Sequence, residues 1–218
     1  MSLVVIEGLD GSGKATQTTA LAGYLRETGK KVLHLSFPNY TQESSALVRL
    51  YLSGGLGSSG DVCAYAASSF YAADRYISYI TGWKKECDLG HTILADRYVT
   101  SNAVYQMSKL PRQEWDAYLD WIDDYEYVKL GLPRPGMVIY LDMDPEISRR
   151  LLKKRSAEKG SGGDIHERDF DYLVGCRKAA LYACEKLGWR KIVCDDGREP
   201  LPVLHVFEQL KLLTRDIT

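Results

Sequence analysis

Within Leu3 to Gln17, read LVVIEGLDGSGKATQ, one lysine and three glycines are spaced to grip phosphate. An apolar run leads into Gly8, Leu9, Asp10, Gly11, Ser12, Gly13 and Lys14, and a helix-forming segment follows. Small residues let backbone N–H groups turn inward around phosphate oxygens. A helix N-terminus adds partial positive charge, and Lys14 reaches the outer phosphates of a nucleotide. One letter departs from the pattern G-x-x-x-x-G-K-[ST]: Ala15 stands where a hydroxyl normally ligates Mg²⁺. Magnesium keeps several waters and takes oxygens from its nucleotide, so one missing protein oxygen need not abolish binding. Asp10, inside the loop, and Asp96, at the end of the strand-like TILAD, are the nearby carboxylates. Thr16 follows Ala15 but is turned about a hundred degrees away along the helix, which makes it a poor substitute.

Three more clusters carry polar chemistry. SFPNY (36–40) contributes Phe37, Pro38 and Tyr40 after a second strand-like run. FYAADR (70–75) places Tyr71 and Arg75 on one helical face. ADRYVTSNAVYQ (95–106) leaves a third strand with Asp96 and Arg97, then Ser101, Asn102 and Tyr105. Together they supply a stacking ring, guanidinium donors for phosphate or base oxygens, and amide or hydroxyl groups for a base edge. A basic cluster, Arg149, Arg150, Lys153, Lys154 and Arg155, precedes KGSGGD (159–164). Flexible backbone there reads either as a mobile flap over an anionic ligand or as a solvated surface loop.

The elements that must hold these residues alternate. Strand-like apolar runs cover Leu3–Glu7, Val32–Ser36, Thr92–Ala95, Met137–Leu141 and Ile192–Cys194. They lack polar alternation, as strands buried on both faces do. Helices are expected over Lys14–Thr28, ending at Gly29; over Asp61–Cys87, with Asp61 as N-cap; over Arg112–Lys129, before GLPRPG; and over Pro145–Lys154. The alternation predicts an α/β fold, a doubly wound parallel sheet of five strands flanked by helices, with residues 1–218 as a single domain. Lys+Arg 28 against Asp+Glu 29 argues against a general nucleic-acid binder or membrane-surface protein. No apolar run reads as a membrane span and no stretch as a secretion signal. Cys63, Cys87, Cys176, Cys184 and Cys194 form no C-x-x-C pair and are expected to be free buried thiols in a reducing cytoplasm.

The set IEGLDGSGK, FPNY, ADR, DRYVTSNAVY and LGLPRP resembles the thymidylate kinases, the dTMP kinases among P-loop nucleoside monophosphate kinases, from Leu3 through the helix around Cys184. The resemblance implies a P-loop enzyme that phosphorylates dTMP to dTDP with ATP and Mg²⁺, in dTTP synthesis. It implies that the Gly8–Thr16 loop and Lys14 hold ATP, and that Asp10 lies beside the acceptor phosphate and its metal. It assigns Phe37, Pro38 and Tyr40 to the acceptor pocket and Tyr71, usually phenylalanine in the family, to stacking on thymine. Arg75 is to bond a thymine carbonyl, Arg97 to clamp the monophosphate and Asp96 to support the metal. Ser101 and Asn102 are to face the base, and Tyr105 to crowd the sugar 2′ position. DIHERD resembles the end of a lid over approximately 150–168, with Glu167 near the metal. The phosphate loop holds no arginine, so the family pattern requires the lid to supply one, Arg155 first and Arg150 second. A cytoplasmic homodimer, packed through helices near Asp61–Trp83, is also implied. Ala15 and Gly136, where many members have aspartate, depart from the pattern.

Two other readings compete. A kinase of another nucleoside monophosphate or of a deoxynucleoside would use the same loop, with Glu7 offered as base for a free hydroxyl; Arg97 favours an acceptor that already carries phosphate. A non-catalytic nucleotide-binding protein would account for Ala15, but not for the retention of Lys14, Asp96 and Arg97.

Overall fold

A computed structural model describes residues 2–58, 60–159, 170–215 and 217. Strands β1 (Ser2–Gly8), β2 (Val32–Ser36), β3 (Thr92–Asp96), β4 (Met137–Asp142) and β5 (Arg190–Val193) pair in parallel in the order β2-β3-β1-β4-β5. The helices are α1 (Lys14–Glu27), α2 (Ala46–Leu52), α3 (Ala64–Ser78), α4 (Lys84–Asp88), α5 (Trp115–Ile122), α6 (Pro145–Lys159), α7 (Phe170–Leu187) and α8 (Val203–Thr214).

Successive β1 residues serve opposite cores. Val4 and Ile6 pack with Leu21 and Leu25 of α1 and Val206 and Leu210 of α8. Leu3 and Val5 pack with Trp83, Ile93, Tyr98 and Val99. Both faces are covered, which is why the strand sequence shows no polar alternation. Helix α1 stops at Gly29, whose φ of 85° lets the chain turn while the N–H of Lys30 bonds the Leu25 carbonyl at 3.1 Å.

Several expectations need correction. Asp61 does not cap α3; its carboxylate accepts from the Ser58 N–H at 2.7 Å and hydroxyl at 2.8 Å, a local turn that satisfies it before the helix starts. Cys63 is the N-cap, its Sγ accepting from the Ala66 N–H at 3.5 Å, and it is exposed, unlike the other four thiols. The single helix expected over 61–87 is α3 and α4 joined by a π-helical turn, Tyr79–Trp83. The segment Arg112–Lys129 is helical but changes pitch twice, from a 3₁₀ turn through α5 into a π-helical stretch, Asp123–Lys129. Helix α6 runs to Lys159, past the expected Lys154. The helical segments α2, Asn102–Lys109 and α8 were not expected from the sequence.

The chain leaves β1 for β2 on one side, returns to β3, and then crosses to β4 on the other side of β1. The crevice at the carboxyl ends of β1 and β3 is therefore the topological switch point, where open α/β sheets take ligands. Register places the ends level: Ile6 lies opposite Asp96, and Ser36 opposite the same Asp96.

Candidate active site

The loop after β1 wraps over the start of α1 against α6. Gly11 has φ 88°, and a Cβ there would sit 2.7 Å from the Ser148 carbonyl of α6. Only glycine lets the loop approach that helix so closely. The Ser148 hydroxyl donates to the Asp10 carbonyl and ties the two together. Lys14, 6% exposed, folds back over the loop with Nζ 2.8 Å from the Leu9 carbonyl and 3.8 Å from Asp10 Oδ1. Burial, then the neighbouring Arg97 charge, push its ammonium down to about 8, against the pull of Asp10. Phosphate oxygens brought to this loop would pull it back up and hold the ammonium charged.

From β3 the chain turns sharply at Arg97, whose φ of 68° lies in the left-handed region that costs a non-glycine residue about 1–2 kcal/mol. The turn aims its guanidinium across the crevice. Nη2 donates to Asp10 Oδ1 at 2.5 Å and to the Tyr105 hydroxyl at 3.1 Å, and the guanidinium carbon lies 4.8 Å from the Tyr105 ring centre. Burial opposes ionisation of Asp10, but Arg97 and Lys14 outweigh it and hold the carboxyl well below its usual range. Glu7 behaves oppositely. Burial raises it despite Arg97 and despite hydrogen bonds from Thr100 and Ser101. Asp96 Oδ1 is buried without a hydrogen-bond partner and its side chain lines the cleft.

One cleft of about 490 Å³ collects most of the expected residues. Asp10, Gly11, Gly13, Lys14, Ala15 and Thr16 form its phosphate end. Phe37, Pro38, Tyr40, Tyr71, Arg75, Ser101, Asn102 and Tyr105 form the other, with Asp96 and Arg97 between. The Phe37–Pro38 peptide bond is cis. Arg155 of α6 also lines the cleft. Arg150 does not; it reaches the Arg198 carbonyl at 2.6 Å and Glu199 at 3.0 Å. Among the loop residues, Leu9 points into the core with Val104 and Tyr140, leaving its backbone to the site. Ser12 Oγ is buried without a partner. Glu167 and the Gly160–Asp164 part of the expected lid lie outside the described residues.

The sequence reading missed three residues that organise this cleft. Asp74 accepts from the Asn39 N–H at 2.9 Å and the Ser44 hydroxyl at 2.6 Å, pinning the 37–45 segment to α3. Gln106 lines the cleft with Oε1 buried and unpartnered. Glu126, fully buried, takes Arg75 in a two-pronged pair at 2.7 and 2.7 Å and accepts from Asn102 Nδ2 at 2.9 Å. A signal for Glu126 was present: it continues the buried stripe Trp115, Tyr118, Leu119, Ile122 at helical spacing.

Loop amides and Lys14 at one end of the cleft are suited to phosphate oxygens, and Arg75, Arg97 and Arg155 line the same cleft. That geometry suits in-line transfer of a phosphoryl group, in which positioning and charge neutralisation do most of the work.

A family model described as thymidylate kinase matches residues 6–199. The thymidylate kinase of Mycobacterium tuberculosis (strain ATCC 25618 / H37Rv) is 32% identical over 186 residues, 83% of this chain and 84% of that protein. A probable thymidylate kinase of Staphylothermus marinus is 31% identical over 196 residues, 90% of this chain and 87% of that one. The solved thymidylate kinase of Candida albicans superposes with a TM-score of 0.70 at 21% identity, over 98% of this chain and 91% of that chain, a likeness of fold.

Proposed function

Because the chain belongs to the thymidylate kinase family and is an enzyme that phosphorylates dTMP with ATP as donor, we propose a division of labour among its cleft residues. Lys14 and the loop amides hold the donor phosphates. Arg97 leaves Asp10 to clamp the acceptor phosphate, whose oxygen attacks the γ-phosphorus in line. That oxygen is already nucleophilic, so no strong general base is required. The observation that carries the proposal is the placement of Arg97 between phosphate loop and acceptor pocket, within hydrogen-bond reach of both Asp10 and Tyr105.

Mg²⁺ fits the donor set. Asp10 and the orphaned Asp96 Oδ1 are hard oxygen donors on the cleft wall, and bound phosphates would complete the shell. Among the described residues no three acids, histidines or cysteines form a metal cage, so the substrate's oxygens are needed. The ion would neutralise charge on the transferring group. Ala15→Ser is expected to preserve turnover and lower the Mg²⁺ concentration for half-maximal rate. A titration of rate against Mg²⁺ checks it, and coincident curves would show that the metal never meets this position.

Arg155 is proposed as the cation that reaches the transferring group, over Arg150, which is engaged with Glu199 and Arg198. Arg155→Ala is expected to lower kcat by about 10²-fold while ATP affinity changes little, since the contact is made in the transition state. Single-turnover rates set beside ATP binding measure this; a dead Arg150→Ala with an active Arg155→Ala would reverse the assignment.

Residues approximately 150–168 are proposed as a lid, with Glu167 near the metal, on a single domain spanning 1–218. A homodimer is proposed through α3 and its neighbours, supported by exposed Tyr76, Ile77 and Ile80 and by exposed Leu47 and Leu50 on α2, a helix that packs against α3. No described helix is long and apolar enough to cross a membrane, and a cytoplasmic location is proposed.

The testing experiment is ADP release over a panel of nucleoside monophosphates. dTMP is expected to lead, dUMP to follow modestly, since one methyl group is worth about 1–3 kcal/mol, and ribonucleotides to trail because the Tyr105 ring borders the pocket. Tyr105→Ala is expected to narrow the deoxy-to-ribo gap. Tyr105→Phe should keep that gap but slow turnover, because the hydroxyl also holds Arg97. A preference for AMP, GMP or CMP would overturn the acceptor assignment.

A further inference from the structure

We propose that Glu126 sets the hydrogen-bond polarity with which the cleft reads the edge of its base, an inference that rests on the dTMP reading. Glu126 is fully buried and does not itself line the cleft. Its partners Arg75 and Asn102 both line that cleft. Arg75 Nε and Nη2 are spent on the two carboxylate oxygens at 2.7 Å, and Nη1 donates to the Tyr98 carbonyl at 3.3 Å. The guanidinium plane is thereby locked, and its remaining N–H groups are donors only.

The consequence for Asn102 is directional. A carboxylate paired with a guanidinium accepts and does not donate, so the Asn102 amide must turn its NH₂ to Glu126 Oε1, at 2.9 Å. Its carbonyl oxygen then points the other way, toward the cleft that the side chain lines. The pocket presents a donor from Arg75 and an acceptor from Asn102. Thymine and uracil carry the complement, a carbonyl beside a ring N–H. Cytosine carries the reverse, an amino group beside a bare ring nitrogen, and leaves both protein groups facing their own kind. An isolated asparagine amide rotates by half a turn and reads either base; Glu126 removes that freedom. Glu126 is thus a positioning residue for specificity.

Glu126→Gln replaces one acceptor oxygen with an NH₂, so Arg75 and Asn102 can no longer both be satisfied in the present orientation. The ratio of kcat/KM for dTMP over dCMP is expected to fall at least about tenfold. The dTMP over dUMP ratio should stay within about twofold, because the two bases share this edge. Asn102→Ala should collapse the same ratio, and adding E126Q to it should change the ratio no further. A folded E126Q enzyme that keeps full discrimination against dCMP overturns the proposal. So does one that loses all three acceptors in proportion, which would leave Glu126 a purely structural role. Where E126Q does not fold, Glu126→Asp withdraws the carboxylate by one methylene and must show the same selective fall; an unchanged ratio again overturns it. A wild-type protein without dTMP turnover is recognised before any variant is made, and defeats the acceptor reading instead.

Discussion

Lys14→Met is expected to remove phosphoryl transfer by at least about 10³-fold, roughly 4 kcal/mol of transition-state stabilisation, while leaving a folded protein. The lysine is the one ammonium inside the phosphate loop, and its neighbours are arranged for a charge that arrives with the substrate. Without substrate, burial and Arg97 push its ammonium down to about 8 from 10.5. Between those values the unfolded chain still holds a proton that the folded chain has released, so stability rises with pH across that window. Below it, the charged lysine is a cost to the unliganded fold. Methionine fills similar space without the charge. Lys14→Met is therefore expected to melt higher than wild type at about pH 7, with the advantage shrinking as pH climbs past about 8. Calorimetry across that range and a coupled kinase assay check both halves. Near-normal turnover in the folded variant would rule out this loop as the phosphate site. A melting temperature that drops at neutral pH would mean that the bond to Leu9 O outweighs the buried charge.

Arg97→Ala is expected to be as damaging to turnover and, unlike Lys14→Met, to stability. The arginine lies among Glu7, Asp10 and Asp96, and removing it leaves Lys14 as the cation acting on the first two. We expect a fall in kcat/KM of about 10³-fold from the lost phosphate clamp. Breaking a fully buried ion pair costs about 3–5 kcal/mol; Arg97 and Asp10 side chains keep 16% and 27% exposure, so about 2 kcal/mol is expected. The pH dependence follows from Asp10. Its folded value is depressed, so its contribution is present above the unfolded value of 3.8 and disappears as pH falls through the folded one. The stability gap between wild type and variant should be widest near neutral pH and close in acid. Denaturant melts at several pH values measure it. A gap that stays constant into acid would show that Arg97 supports the fold through its backbone turn and not through Asp10.

Sequence alone determined the phosphate loop, the three buried central strands β1, β3 and β4 and the end of α1, because each depends on residues adjacent in the chain; β2 and β5, also expected to be buried on both faces, lie at the sheet edges and are largely half-buried or exposed. Glycines at 8, 11 and 13 before Lys14 act through backbone geometry, and an apolar run covered on both faces is legible as such. It also placed Tyr71 and Arg75 on one face and named most of the residues that line the cleft, though not Ser36, Leu52, Tyr98, Gln106, Leu151 or Leu152. Other features were decided only by the tertiary structure. Asp61 does not cap α3 because its carboxylate accepts from the N–H and hydroxyl of Ser58, three residues before it, and Cys63 takes the cap. The pitch changes at 79–83 and 123–129 leave no trace in helical periodicity. The pairing of Arg97 with Asp10 spans 87 residues and that of Arg75 with Glu126 spans 51. A helical stripe states which face is buried, but not which charge waits on the opposing element. The parallel register and the crossing of the chain from β3 to β4 bring those groups together, and the low-dielectric interior then turns proximity into shifted charges and locked orientations.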